Sequence, residues 1–334
     1  MAFQPLSDLG RAFQTRQHNT MLREKLYRLS DELSTGRVAD LGRHLGANAD
    51  KLAHLDRVLA LSDGYLRSSR TAESMLATMQ MSLGRLEEAR GTLANTFVAA
   101  NLSGREDDLT GAGVAATAAF DNAVNALNVR FGDTPLFAGR DIESGALAPS
   151  DAMLSQLRTL AAGATDAADL TQRIADWFDL PGGFDTTGYL GDNAGHLSRP
   201  VDEGERITFD VRADDPAIRK LLQTLATAAI GADPATGLAV EERQDLMKSM
   251  AEDLFAISQD IVDLGARIGL SQQIADTATT RVEERYSAYA ILRNKLVSAD
   301  PFETASALTE VETLLDTHYR VTARISGLSL SRYL

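Results

Sequence analysis

The chain has 334 residues and contains no cysteine, which excludes disulfide bridges, thiolate catalysis and cysteine-ligated zinc together. Aromatic residues make up only 6% of the sequence, whereas hydrophobic residues make up 44%. This balance favours helices built on leucine and alanine over β-sandwiches, which are rich in aromatic and β-branched residues. No apolar run approaches the roughly 20 residues that span a bilayer as a helix.

The sequence also lacks concentrated positive charge. Its formal net charge is −14, and no cluster of lysine and arginine is longer than a pair. Proteins that bind nucleic acid carry a basic patch, and anionic membrane surfaces attract basic segments. Neither partner is therefore expected. The N-terminus lacks a basic stretch followed by an apolar one, so we expect no cleaved secretory signal.

Proline is concentrated in the middle of the chain, where six of the eight prolines fall between Pro135 and Pro234. The stretches 6–134 and 235–300 contain none, as long helices require. The proline-rich, glycine-rich middle, 132–235, is typical of a separate and less regular domain.

Leucines in the two terminal regions follow a helical period. Leu22, Leu26, Leu29 and Leu33 are spaced 4-3-4, which is typical of a coiled-coil seam. Near the other end, Asp300-Pro301 predicts a helix start. The predicted seam of that helix consists of Ala307, Val311, Leu314, His318, Val321, Ile325 and Leu328, with Leu308 and Leu315 beside it.

The middle of the chain mixes strand and helix patterns. Ile207, Phe209 and Val211 alternate after a turn at Gly204, which predicts a β-hairpin. Helices are predicted at about 151–162, 166–178 and 216–230, with Asp215 as the cap of the last one. The polar segment 102–113 predicts a break, with helix returning at 114–130.

Together these patterns predict a mainly α protein, in which long antiparallel N- and C-terminal helical arms form a coiled-coil-like bundle with a small inserted α+β domain. The predicted domains are terminal assembly arms, 1–42 with 300–334, that are disordered in the monomer; a helical bundle domain, 43–131 with 236–299; and the insert, 132–235.

Two paired helices bury only one stripe each, so the apolar tail SGLSLSRYL at 326–334 needs other partners. We therefore expect the terminal apolar residues to contact neighbouring subunits. The predicted interface residues are Leu22, Leu26, Leu29, Leu33, Val311, Leu314, His318, Val321, Ile325, Leu328, Leu330 and Leu334.

Four segments carry a resemblance to a known family: LSTGRV at 33–38, TPLFAGR at 134–140, GYLGD at 188–192, and the C-terminal region 300–334 ending in SLSRYL. In these segments the chain resembles the flagellin superfamily, and most closely the hook-filament junction proteins of bacterial flagella, the hook-associated protein 3 family.

The resemblance implies a structural protein without enzymatic activity and without a cofactor. It implies export through the flagellar type III apparatus without a cleaved signal, with an export chaperone as a possible partner. The other implied partners are further copies of the chain in a ring, the second hook-filament junction protein, and flagellin. The implied location is the extracellular flagellum.

Two other functions stay open on the sequence: a filament flagellin, and an unrelated coiled-coil secreted effector or adaptor. A catalytic, cofactor or metal site is not expected. The five histidines form no ligand motif, and Asp192, His196 and Ser198 contain the residue types of a triad but not its expected arrangement.

Overall fold

A computed structural model describes the backbone of residues 5–179 and 181–330, and the side chains of residues 10, 13–179 and 181–324. The helices in these ranges are α1 Pro5–Thr35, α2 Leu41–Leu45, α3 Ala49–Ser103, α4 Glu106–Leu127, α5 Ser150–Ala161, α6 Ala167–Asp179, α7 Pro216–Gly231, α8 Val240–Val297 and α9 Pro301–Leu330. The strands are β1 Arg130–Phe131, β2 Thr134–Pro135, β3 Leu197–Asp202 and β4 Glu205–Phe209.

The chain divides into two compact units. The first consists of Met1–Ser62 with Glu284–Leu334, and the second of Asp63–Glu283. The predicted class, mainly α with a small α+β insert, is confirmed. The finer division into three domains stays a prediction.

The core of the second unit lies between helices, and α4 packs along α7 over much of its length. In α6, Trp177 and Phe178 are buried, and their rings meet edge to face with centroids 4.9 Å apart. Phe184 stacks on Phe178 at 5.4 Å. Edge-to-face and offset rings are favourable arrangements, so this aromatic cluster stabilises the insert. The predicted helices at 151–162, 166–178 and 216–230 correspond to α5, α6 and α7.

The predicted hairpin is confirmed as the antiparallel pair β3–β4. Its turn contains Gly204 at a φ of +74°, a conformation that glycine adopts without strain. Ile207 and Phe209 are buried. Two arginines of α8 hold this region: Arg267 donates to Asp210 at 3.0 Å, and Arg281 donates to Glu205 at 2.6 Å.

The predicted break at 102–113 is present but much shorter, because α3 continues to Ser103 and α4 begins at Glu106 instead of 114. Only Gly104, at a φ of +61°, and Arg105 separate the two helices. The acidic run 106–108 forms the first turn of α4, where negative charge is favoured by the helix dipole. The polar composition therefore marked a helix start rather than a loop.

Asp215 is the N-cap residue of α7, as predicted, and Pro216 follows it in the first turn. The carboxylate of Asp215 makes no cap hydrogen bond. It accepts instead from the backbone N–H of Arg212 at 2.9 Å and from the guanidinium of Arg267 at 3.2 Å. The side chain thus links the start of α7 to α8.

Candidate subunit interface

The terminal helices α1 and α9 pair with each other within the first unit. Leu22 and Leu29 of α1 are buried against Val311 and Leu315 of α9. The helices run antiparallel, since His18 lies opposite His318 and Arg37 lies opposite Ser298. Leu26, Ala307 and Leu308 are half-buried around this cluster, which we call the inner seam.

The LSTGRV segment fixes one end of the inner seam. Gly36 ends α1 with a φ of +68°, and its N–H bonds back to the carbonyl of Glu32 at 2.9 Å, which is a common way of closing a helix. The chain then pairs with the link before α9: Val38 N–H donates to Val297 at 3.0 Å, and Ala299 N–H donates to Gly36 at 3.0 Å. These bonds set the register of α1 against α9.

The start of α9 follows the sequence prediction. The carboxylate of Asp300 accepts from the N–H groups of Phe302, at 2.8 Å, and Glu303, at 3.1 Å. Pro301 occupies the first helical position, where its missing N–H costs nothing. The helix therefore begins at a fixed point directly after the backbone pairing with Gly36.

Polar and aromatic contacts lie at the other end of the seam. The rings of His18 and His318 have centroids 5.5 Å apart. The guanidinium of Arg23 donates to the hydroxyl of Tyr319 from Nε at 3.0 Å and from Nη2 at 2.8 Å. This hydrogen bond lowers the pKa of the Tyr319 hydroxyl, with a smaller contribution from Asn19, and raises the pKa of Arg23.

The predicted seam of α9 is wrong in part, because the helix is rotated toward Leu315. Leu315 is 7% exposed, whereas Leu314 is 45% exposed and Val321 is 51% exposed. Thr304 and Leu308 take the seam positions before Val311. The sequence contains a pattern for this orientation, because Leu308 and Leu315 lie beside the predicted seam and widen its apolar stripe.

The predicted interface residues therefore fall into three groups. Those in or beside the inner seam are Leu22, Leu26, Leu29, Val311 and His318; those exposed are Leu33, Leu314 and Val321. Ile325, Leu328 and Leu330 lie on the α9 backbone with side chains outside the described residues, and Leu334 lies outside the described residues altogether.

Two exposed apolar residues of α9, Leu314 and Val321, lie on the same face of the helix. Ala307, Leu314 and Val321 recur every seven residues, so they occupy one face that adjoins the inner seam. Ala307 is half-buried, and the other two are about half exposed. We call this face the outer stripe of α9. Ala307 lies at its border with the inner seam, and Leu314 and Val321 are left exposed by α1.

Two further family-like segments meet inside the second unit. The N–H of Asp192, from GYLGD, donates to the carbonyl of Ala138, from TPLFAGR, at 2.9 Å. The approach requires glycine, because a Cβ on Gly191 would lie 2.6 Å from that carbonyl oxygen and one on Gly139 would lie 2.2 Å from the oxygen of Asp192. These segments therefore have a structural role within the insert, where they join its first residues to the loop before β3.

The candidate chemical sites of the second unit are a groove and a few polar side chains. A groove between α3 and α8 is lined mainly by apolar and small residues such as Leu83, Gly84 and Val262. Ser198 accepts hydrogen bonds from Arg206, and no hydrogen bond joins it to Asp192 or His196 in the part of the chain described. Among the described residues, no group of three or more His, Cys, Asp or Glu side chains could hold a metal ion.

In the residues that the structure covers, no helix is both long enough and apolar enough to cross a bilayer.

Comparison with solved structures identifies the fold. The chain is similar to the crystal structure of Bacillus cereus FlgL, with a TM-score of 0.52 and 14% sequence identity, over 72% of this chain and 99% of that one. A more distant match is a structure described as a flagellar hook-associated protein from Vibrio parahaemolyticus, with a TM-score of 0.42 and 11% identity, over 73% of this chain and 97% of that one. No family model and no curated protein matches the sequence.

Proposed function

We propose that this chain is a structural protein of the bacterial flagellum that joins the hook to the filament, as a hook-filament junction protein of the FlgL type. The fold likeness to FlgL spans nearly the whole of that protein. The observation that carries the proposal is the outer stripe of α9, an apolar helix face beside a seam that is already occupied.

The outer stripe would act by packing against neighbouring copies. Burial of apolar surface contributes about 25 cal/mol per Å² removed from water, so an uncovered leucine and valine on one face favour association. Leu314 and Val321 belong to the same helix that Leu315 holds on α1. The helix α9 can therefore pack against α1 of its own chain through the inner seam and against a neighbouring copy through the outer stripe.

The remaining assignments follow from this role and are proposals of the same kind. The terminal arms, about 1–40 and 300–334, would form an α1–α9 pair that opens readily in the free monomer and becomes fully ordered on assembly, as coupled folding and binding requires. The chain would leave the cell through the flagellar export apparatus without signal cleavage, with an export chaperone among its partners. Its other partners would be further copies of itself, the second junction protein and flagellin. No enzymatic step is assigned to it.

The assembly proposal is tested by complementing a deletion strain of the source bacterium. Leu314→Asp or Val321→Asp should abolish swimming, because an unpaired charge would have to be buried in the subunit contact. Thr313→Asp is the matched control: it adds the same charge one residue away, on a face pointing away from both stripes, and should leave swimming intact. Electron microscopy should show hooks without filaments in the deletion strain and in the two stripe variants.

Two checks make the result interpretable. Each variant should be exported in normal amount, and its Trp177 fluorescence should match wild type, since Trp177 is buried in the second unit. Swimming by Leu314→Asp cells would contradict the role of the outer stripe. Normal hook-filament joining in the deletion strain would contradict the junction function itself, and purified chains that form long filaments alone would favour a flagellin.

A further inference from the structure

Two histidines face each other across the terminal helix pair. His18 of α1 and His318 of α9 have ring centroids 5.5 Å apart, and their planes are inclined by 56°. They lie one helical turn beyond Leu22 and Leu315, the last buried pair of the inner seam. The pairing follows from the α1–α9 register rather than from any local sequence motif.

This spacing is the one that a shared metal ion requires. Zinc binds imidazole nitrogen at about 2.1 Å, so two rings held at a tetrahedral angle have their centres roughly 5 to 5.5 Å apart. Imidazole is a preferred ligand of zinc, nickel and copper ions. We propose that His18 and His318 form a two-histidine site for a divalent transition cation such as Zn²⁺, which bridges α1 and α9.

The surroundings allow a cation at this point. The guanidinium of Arg23 is engaged with the hydroxyl of Tyr319, the residue that follows His318. His18 is exposed and His318 is half-buried, so an ion can enter from solvent and water can fill its remaining positions. Because the described residues contain no larger group of metal-binding side chains, the affinity should be in the micromolar range, far weaker than that of a four-ligand structural site.

The position gives the site a consequence for the helix pair. Beyond the two histidines, the next apolar residues are exposed: Phe13 on α1 is 67% exposed, and Val321 on α9 is 51% exposed. A bound cation would hold the helices together one turn beyond the last buried pair among the described residues of the seam. A ligand that binds only the paired state stabilises that state, so the ion would stabilise the α1–α9 pair at the end of the seam where the two histidines lie. This inference does not depend on the flagellar function.

The test is isothermal titration calorimetry, in which the purified chain is titrated with ZnCl₂ at pH 7.5. The wild-type chain should bind Zn²⁺, and His18→Gln or His318→Gln should weaken the affinity by about ten-fold or more, because each removes one of two protein ligands. His196→Gln is the control, since this exposed histidine lies in the other unit. It should leave the affinity unchanged.

A rescue variant separates metal binding from packing. His18→Cys keeps a zinc ligand in a chain without other cysteines, so it should retain binding that His18→Gln loses. In wild type, Zn²⁺ should slow amide exchange of residues 13–25 of α1, and in His318→Gln it should not. Unchanged Zn²⁺ affinity in both glutamine variants would overturn the site, as would equal loss in the cysteine and glutamine variants.

Discussion

A close contact between α4 and α7 makes opposite predictions for two glycines that are two residues apart. Gly113 is buried where α4 meets the end of α7, and a Cβ built on it would lie 2.5 Å from the Cβ of Ala232. Gly111 is exposed, and a Cβ built there would meet nothing within 4 Å. The same Gly→Ala change therefore tests the packing at one site and helix propensity at the other.

The magnitudes follow from the two surroundings. Alanine is favoured over glycine inside a helix by about 0.5–1 kcal/mol, so Gly111→Ala should stabilise the second unit by that amount. Gly113→Ala makes the same gain but forces α4 and α7 apart, and overpacking of a core costs about 1–3 kcal/mol. We expect Gly113→Ala to destabilise the unit by about 1–2 kcal/mol.

Urea unfolding followed by the fluorescence of Trp177 measures both changes. Trp177 is the single tryptophan, and it is 7% exposed in the core of the second unit, so its signal reports that unit. Circular dichroism of the folded variants should match wild type. If Gly113→Ala unfolds at the same urea concentration as Gly111→Ala, α4 and α7 do not approach each other as closely as the structure shows.

Three further predictions rest on contacts within one unit. Arg243→Met should lower the urea stability of the second unit by about 2–3 kcal/mol, because the 1%-exposed guanidinium donates to Glu106, Thr110 and the Ala232 carbonyl; a loss under 1 kcal/mol would contradict this. Hydrogen bonds from Arg90 lower the pKa of Glu87 below its usual 4.5, so the pair stabilises the fold above pH 4.5 and this contribution is lost as the pH falls through the lowered value. Glu87→Gln should therefore lower urea midpoints at pH 7 and flatten their decline as the pH falls below 4.5, and an unchanged decline would count against the assignment. Leu315→Ala should speed amide exchange of α1 residues 13–30 while Leu314→Ala should not, since only Leu315 is buried against α1; equal effects would refute the inner seam.

The sequence predicted the elements whose signals are local. The hairpin β3–β4 has an alternating apolar pattern and a glycine turn, and α9 has an aspartate cap followed by proline. The break predicted at 102–113 was too long, because several of its polar residues and glycines make contacts with residues distant in sequence. Glu106 pairs with the buried Arg243, which is distant in sequence, and Gly113 accommodates Ala232. Neither partner can be inferred from the segment itself.

The register of α9 was underdetermined for a related reason. Two sets of residues with spacings of three and four share Val311, one continuing through Leu314 and the other through Leu315. Periodicity alone accepts both, and the choice between them is made by the backbone pairing of Gly36 with Ala299, which orients α9 so that Leu315 meets α1. Of the other set, Leu314 and Val321 remain exposed. An apolar stripe too wide for one partner is the pattern expected of a helix that packs within its own chain and against another.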